Sequence, residues 1–135
     1  MEKVFFGVEV KEKFHLPESK EQWIEVRKLN ASQKALYLNS IGEMSRSNPD
    51  GTIVIDTTKA GNWEKKLLEL AVCGYKVYVQ EGDQQKLVEG NDPNQWASLY
   101  DTMDSDITSD LVSFVQKLNP WLLPVREEDK KKEKI

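Results

Sequence analysis

The stretch Leu118-Asn119-Pro120-Trp121-Leu122 sets the hardest local constraint on this chain. Proline lacks an N–H and disfavours helical backbone at the residue before it, so a helix arriving from upstream has to stop here. Ile107, Leu111, Phe114, Val115 and Leu118 recur at the offsets of one helical face, which predicts that helix across Asp106 to Leu118. Asp104-Ser105-Asp106 offers the side-chain acceptors that cap its start. Trp121 follows the stop at once, so the spacing predicts a helix whose end is fastened to the core by a large apolar anchor.

Composition sets the outer limits. A chain of 135 residues is expected to form one domain that buries roughly two-thirds of its unfolded surface. We place that domain at residues 1–125 and a charged, disordered tail at 126–135. Hydrophobic residues make up 39% and charged residues 31%, which implies a modest core under a well-solvated surface. The net charge of −4 and the mixing of lysines with acids argue against a nucleic-acid partner, which needs a concentrated basic face. Lys130-Lys131-Lys132 lies beside Glu127, Glu128, Asp129 and Glu133, a solvated charge run rather than a binding patch. No apolar run is long enough for a membrane span, and Met1-Glu2-Lys3-Val4 does not open a signal peptide. A cytoplasmic protein with no membrane partner is the expectation. The single cysteine, Cys73, excludes an internal disulfide and a cysteine-built metal cluster.

Hydropathy patterning predicts an α+β fold with about four helices packed on a short N-terminal antiparallel β element. Val4, Phe6, Val8 and Val10 alternate with Phe5, Glu9 and Lys11, the period of a half-buried strand. A second strand is expected at Gln22 to Leu29, paired antiparallel with the first. Asn30-Ala31-Ser32-Gln33 has the layout of a capping box and opens a helix to about Arg46, with Ala35, Leu38, Ile41 and Ser45 inward and Leu36 and Tyr37 beside them. Ser47 to Gly51 is a turn, and Thr52 to Thr57 an extended piece covered on both faces. Trp63, Leu67, Leu70, Ala71 and Gly74 form the apolar stripe of a helix starting near Gly61 or Asn62. Residues 75–89 fit either a hairpin through Glu81-Gly82-Asp83 or a continued helix; we favour the hairpin. Asn91-Asp92-Pro93 starts another helix, with Trp96, Leu99, Tyr100 and Met103 on one face.

Few residues carry chemistry. His15, the one histidine, reads as a solvated loop residue rather than a general base. Cys73 reads as a buried, inert thiol in a helix, since no neighbouring base lowers its pKa. Asp104, Asp106 and Asp110 lack the glycine and terminal glutamate of a calcium loop. The glycines are scattered singly, so no phosphate-cradling loop is present. We therefore expect no catalytic, cofactor-binding or metal-binding residue. The tryptophans are more suggestive. Trp23, Trp63, Trp96 and Trp121 stand at element boundaries, as core residues or as anchors on a partner-binding face.

Trp23-Ile24-Glu25-Val26-Arg27-Lys28-Leu29-Asn30-Ala31-Ser32-Gln33-Lys34 resembles the opening of phage tail assembly chaperones, written W-x-E-x-R-x-L-T-x-x-E-R. Trp63 to Tyr75 is similar to that family's central helix, and Ile107 to Leu118 with Asn119-Pro120 is similar to its closing helix. The likeness runs from Gln22 to Leu122. Its individual motifs are loose, and their order and separation carry it. Asn30 stands where the family has Ser or Thr, and Gln33-Lys34 where it has Glu-Arg.

This resemblance implies a non-structural phage or prophage protein, working in the bacterial cytoplasm. It would bind the tape measure protein and keep it soluble until tail-tube subunits polymerise, with the tail-tube protein as a second candidate partner and a homo-oligomer left open. It also implies a longer product made by frameshifting, for which the lysine codons at Lys130 to Lys132 are a candidate site. The alternatives are a structural tail component, such as a terminator or connector subunit, and a small bacterial adaptor module.

Overall fold

A computed structural model describes residues 2–41, 45–56 and 63–125. Strands β1 (Lys11–His15) and β2 (Trp23–Arg27) form an antiparallel hairpin in which Lys11 faces Arg27 and His15 faces Trp23. Its seven-residue connection is closed by Leu16 N–H donating to Gln22 O at 3.1 Å and by Gln22 N–H donating to Ser19 Oγ at 3.1 Å. Helix α1 (Ala31–Ile41) follows, then β3 (Ser45–Ser47) and β4 (Ile53–Asp56). Helix α2 (Trp63–Ala71) runs directly into β5 (Val72–Glu81), which turns back into β6 (Gln84–Gly90). Helices α3 (Pro93–Asp101) and α4 (Ser105–Leu118) and strand β7 (Leu122–Val125) complete the described order.

Two sheets result. The larger is antiparallel in the order β1-β2-β5-β6, and the smaller has the order β3-β4-β7, with β7 parallel to β4. Ile24, Val26 and Tyr75 line the inner face of the larger sheet, where α2 and α4 cover it. Leu67, Leu68 and Ala71 of α2 meet Leu111, Val112 and Val115 of α4 there. Tyr37 and Ile41 bring α1 into the same core. Arg27 Nε donates to Leu70 O at 2.9 Å, so β2 satisfies a carbonyl that the end of α2 leaves without an intrahelical partner.

The mixed α+β architecture and the four helices agree with the sequence pattern, but the β content is larger than a short N-terminal element. Local capping follows the sequence closely. Asn30 N–H donates to Gln33 Oε1 and Gln33 N–H to Asn30 Oδ1, each at 2.9 Å, which is the reciprocal capping box. Asp92 Oδ1 accepts from Asn94 N–H, and Asp104 Oδ1 from Asp106 and Ile107 N–H. The favoured hairpin at 75–89 forms, with Gly82 at φ 60° opening its two-residue connection. Positive φ at that first central position suits glycine.

Four expectations need correction. The alternating residues Val4 to Val10 form no strand; Phe5 and Phe6 are 74% and 91% exposed. Lys28 N–H donates to Val10 O at 2.9 Å, and beyond that bond the segment has no partner strand among the described residues, so alternation alone builds nothing. The first strand instead takes the charged run Lys11–His15, which turns Phe14 inward. Helix α1 ends at Ile41, and Ser45–Ser47 pairs with Ile53–Ile55 across the Asn48–Gly51 turn. Sheet pairing there overrides helical periodicity; within α1, Tyr37 is buried while Ala35 faces solvent. Helix α2 ends at Ala71, so Cys73 and Gly74 lie in β5. Finally, Trp121 is half-buried and the fully buried anchor is its neighbour Leu122 at 1% exposure, because β7 begins there. The expected charged tail at 126–135, with Lys130 to Lys132, lies outside the described residues.

No helix among the described residues is long and apolar enough to cross a membrane.

Candidate functional site

An apolar groove lies where β5 outruns β2. Pairing between these strands stops at Trp23 opposite Lys76, whereas β5 continues to Glu81 with only β6 beside it. Val77 and Val79 share the inner face with Tyr75, by strand alternation, and line the groove beyond the end of β2. Trp96, Leu99, Met103 and Ile107, from α3, its end and α4, line it from the other side. The groove encloses about 400 Å³.

Its frame is held by polar contacts. Gln22, which also lines the groove, accepts at Oε1 from Tyr78 N–H at 2.8 Å. Tyr78 Oη donates to the Glu21 carboxylate at 2.7 Å. That bond and the charge of Glu21 push the phenol pKa up. The β1–β2 connection therefore props the projecting part of β5. On the helical wall, Asp104 is committed to capping α4, so its carboxylate is fixed at the rim rather than free to act as a base.

Below the groove, Tyr75 and Trp96 rings lie 6.3 Å apart. Tyr75 Oη donates to Gln95 Oε1 and approaches Asp92 O at 3.3 Å; burial raises its pKa. Trp96 is 4% exposed, and its indole N–H has no hydrogen-bond partner among the described residues. A buried donor left without a partner costs free energy.

The four tryptophans do not converge. Trp63 and Trp96 are core residues, and only Trp96 reaches the groove. Trp23 lies half-buried on the outer face of the large sheet, against the site of Gly74, where an added Cβ would sit 3.6 Å from its ring. Lys13 Nζ stacks over it at 4.2 Å. Trp121 packs edge-on against Tyr37 at 6.2 Å, with Lys34 Nζ 4.8 Å from its ring. Tyr37 is itself fully buried, and that burial, with Glu64 as a lesser cause, pushes its hydroxyl pKa far up.

His15 ends β1 rather than lying in a loop, and it is exposed. Cys73 occupies the extra position at the bulge between Glu25 and Val26, with Sγ 3.5 Å from Glu25 O and 3.6 Å from Glu25 Oε1. Partial burial, then the Glu25 charge, raises its pKa, the reverse of what a nucleophilic thiol requires. Among the described residues no group of three or more His, Cys, Asp or Glu side chains could hold a metal ion. Asp104, Asp106 and Asp110 therefore share sequence proximity but no such site.

Sequence reasoning missed Asn119. It is wholly buried; its Oδ1 accepts from Leu29 N–H at 2.8 Å and its Nδ2 donates to Val115 O at 2.9 Å. It also missed the groove, whose only sequence signal is the unequal length of two strands that must first be paired.

In comparisons with known proteins, no family model matches the chain, and no curated protein or solved structure matches it either.

Proposed function

We propose that this protein is a phage or prophage tail assembly chaperone, a binding protein rather than an enzyme. It would hold the tape measure protein soluble until the tail tube polymerises around it. The observation that carries the reading is the groove between β5 and the α3–α4 corner. Its apolar lining, with Gln22 and Asp104 among its polar members, suits the apolar face of an amphipathic helix. The motif order from Trp23 to Leu122 supports the family reading, and the groove is where a client helix would seat.

Such a groove binds by burial of a few side chains and releases without any chemical step, which is what a temporary holder requires. Co-expression with a phage tape measure protein should raise that protein's soluble fraction severalfold. Val79→Glu should abolish the rescue while the circular dichroism spectrum stays unchanged. An unrescued partner with wild-type protein would overturn the reading. Recovery of this protein from purified virions would instead assign it to the structural components of the tail.

A further inference from the structure

We infer that residues 2–10 form an arm that seats in the groove of a second copy of this chain. This assignment does not depend on the tape measure reading. The arm is the most exposed apolar segment described: Val4 is 64%, Phe5 74%, Phe6 91%, Val8 55% and Val10 42% exposed. A contiguous apolar segment of this kind marks an interaction site. The molecule thus presents an unpartnered apolar segment and an open apolar groove at the same time.

Topology keeps the two apart within one copy. The arm leaves the hairpin at the Lys11–Arg27 end, whereas the groove lies beyond the His15–Trp23 end. The direct route between them within one copy is the inner face of β1. That path is taken by α4, where the Phe14 and Phe114 rings meet at 5.5 Å. From Val10 to Phe5 an extended chain reaches only about 17 Å, about the length of β1 itself. A second copy has no such restriction.

The chemistry of the two surfaces is complementary. The arm bends at Phe6–Gly7, where Gly7 has φ 73°, and its valine and phenylalanine side chains match a groove lined by valine, leucine, methionine and tryptophan. The arm carries Glu2, Lys3 and Glu9 and the groove rim carries Asp104 with Glu21 beside it, so the match between the two is apolar and not electrostatic. Aromatic side chains bury about 150–250 Å² each. Two reciprocal arms with their grooves would therefore cover on the order of 1,000 Å², enough for a specific contact. A two-fold pair would close the exchange with both grooves filled.

Sedimentation equilibrium of the full chain tests this. Wild-type protein should show a concentration-dependent monomer–dimer equilibrium. Both Phe5→Ser/Phe6→Ser and Met103→Glu should weaken self-association at least about tenfold, as expected when interface anchors are lost. Circular dichroism would check that each variant is folded. Mixing the two variants should restore a dimer of one mass, because one supplies an intact groove and the other an intact arm. A wild-type protein that stays monomeric overturns the proposal. So does an arm variant or a groove variant that dimerises as tightly as wild type, or a mixture of folded variants that associates no better than either variant alone.

Discussion

At the scale of single residues, Asn119 does more than end a helix. Its side chain bonds Leu29, two residues after β2, and a carbonyl of the last turn of α4, and both bonds are buried. Asn119→Ala leaves the Leu29 N–H without a partner in the core, and should lower the unfolding free energy by about 2 kcal/mol or more; a urea titration measures it. Nothing local in the sequence marked this role, since Leu29 lies 90 positions away. The Asn30–Gln33 capping box was legible because both partners lie within three residues. Cys73 yields a second prediction. Its folded pKa lies above the ordinary thiol range, through burial and then Glu25. Iodoacetamide should therefore label the native protein more slowly at pH 8 than it labels the urea-unfolded chain. The sign for stability follows from linkage: any contribution is complete below the unfolded thiol pKa and declines as pH rises through the folded one.

At the scale of elements, the junction after α4 divides its work unequally. Leu122, in β7, is fully buried, whereas Trp121 is half-buried against Tyr37 and Lys34. Leu122→Ala should cost about 2–5 kcal/mol, and Trp121→Ala less, despite its larger side chain; thermal melts of the two variants would rank them. The starts of α1, α3 and α4 were legible from caps, and the end of α4 from Pro120; the residues expected to open α2, Gly61 and Asn62, lie outside the described residues. Strands were less so, because a strand needs a neighbour. Among the described residues the alternating segment Val4–Val10 has none beyond the single bond at Val10, while the polar run Ser45–Ser47 has β4. The change from α2 to β5 at Val72 was hidden for a related reason: helical periodicity continues through Gly74, but pairing with β2 claims the chain.

At the scale of the whole molecule, the site comes from lengths and not from motifs. The groove exists because β5 runs on after β2 has ended, and because the α3–α4 corner covers the inner face there. No single segment encodes it, which is why reading the tryptophans one by one did not locate it. If arm and client helix share the groove, they compete, and a peptide carrying a client helix should shift sedimentation toward a monomer–peptide complex. A dimer indifferent to that peptide would place client and arm on separate surfaces. The residues around Asn119 carry one more consequence. Leu29 N–H is held by Asn119 and Ile53 N–H by the Trp121 carbonyl, so one short segment locks two distant parts of the chain. Opening of that segment alone would bare both amides together. Their native-state hydrogen exchange should then share one protection factor, making the junction a single latch rather than two independent contacts.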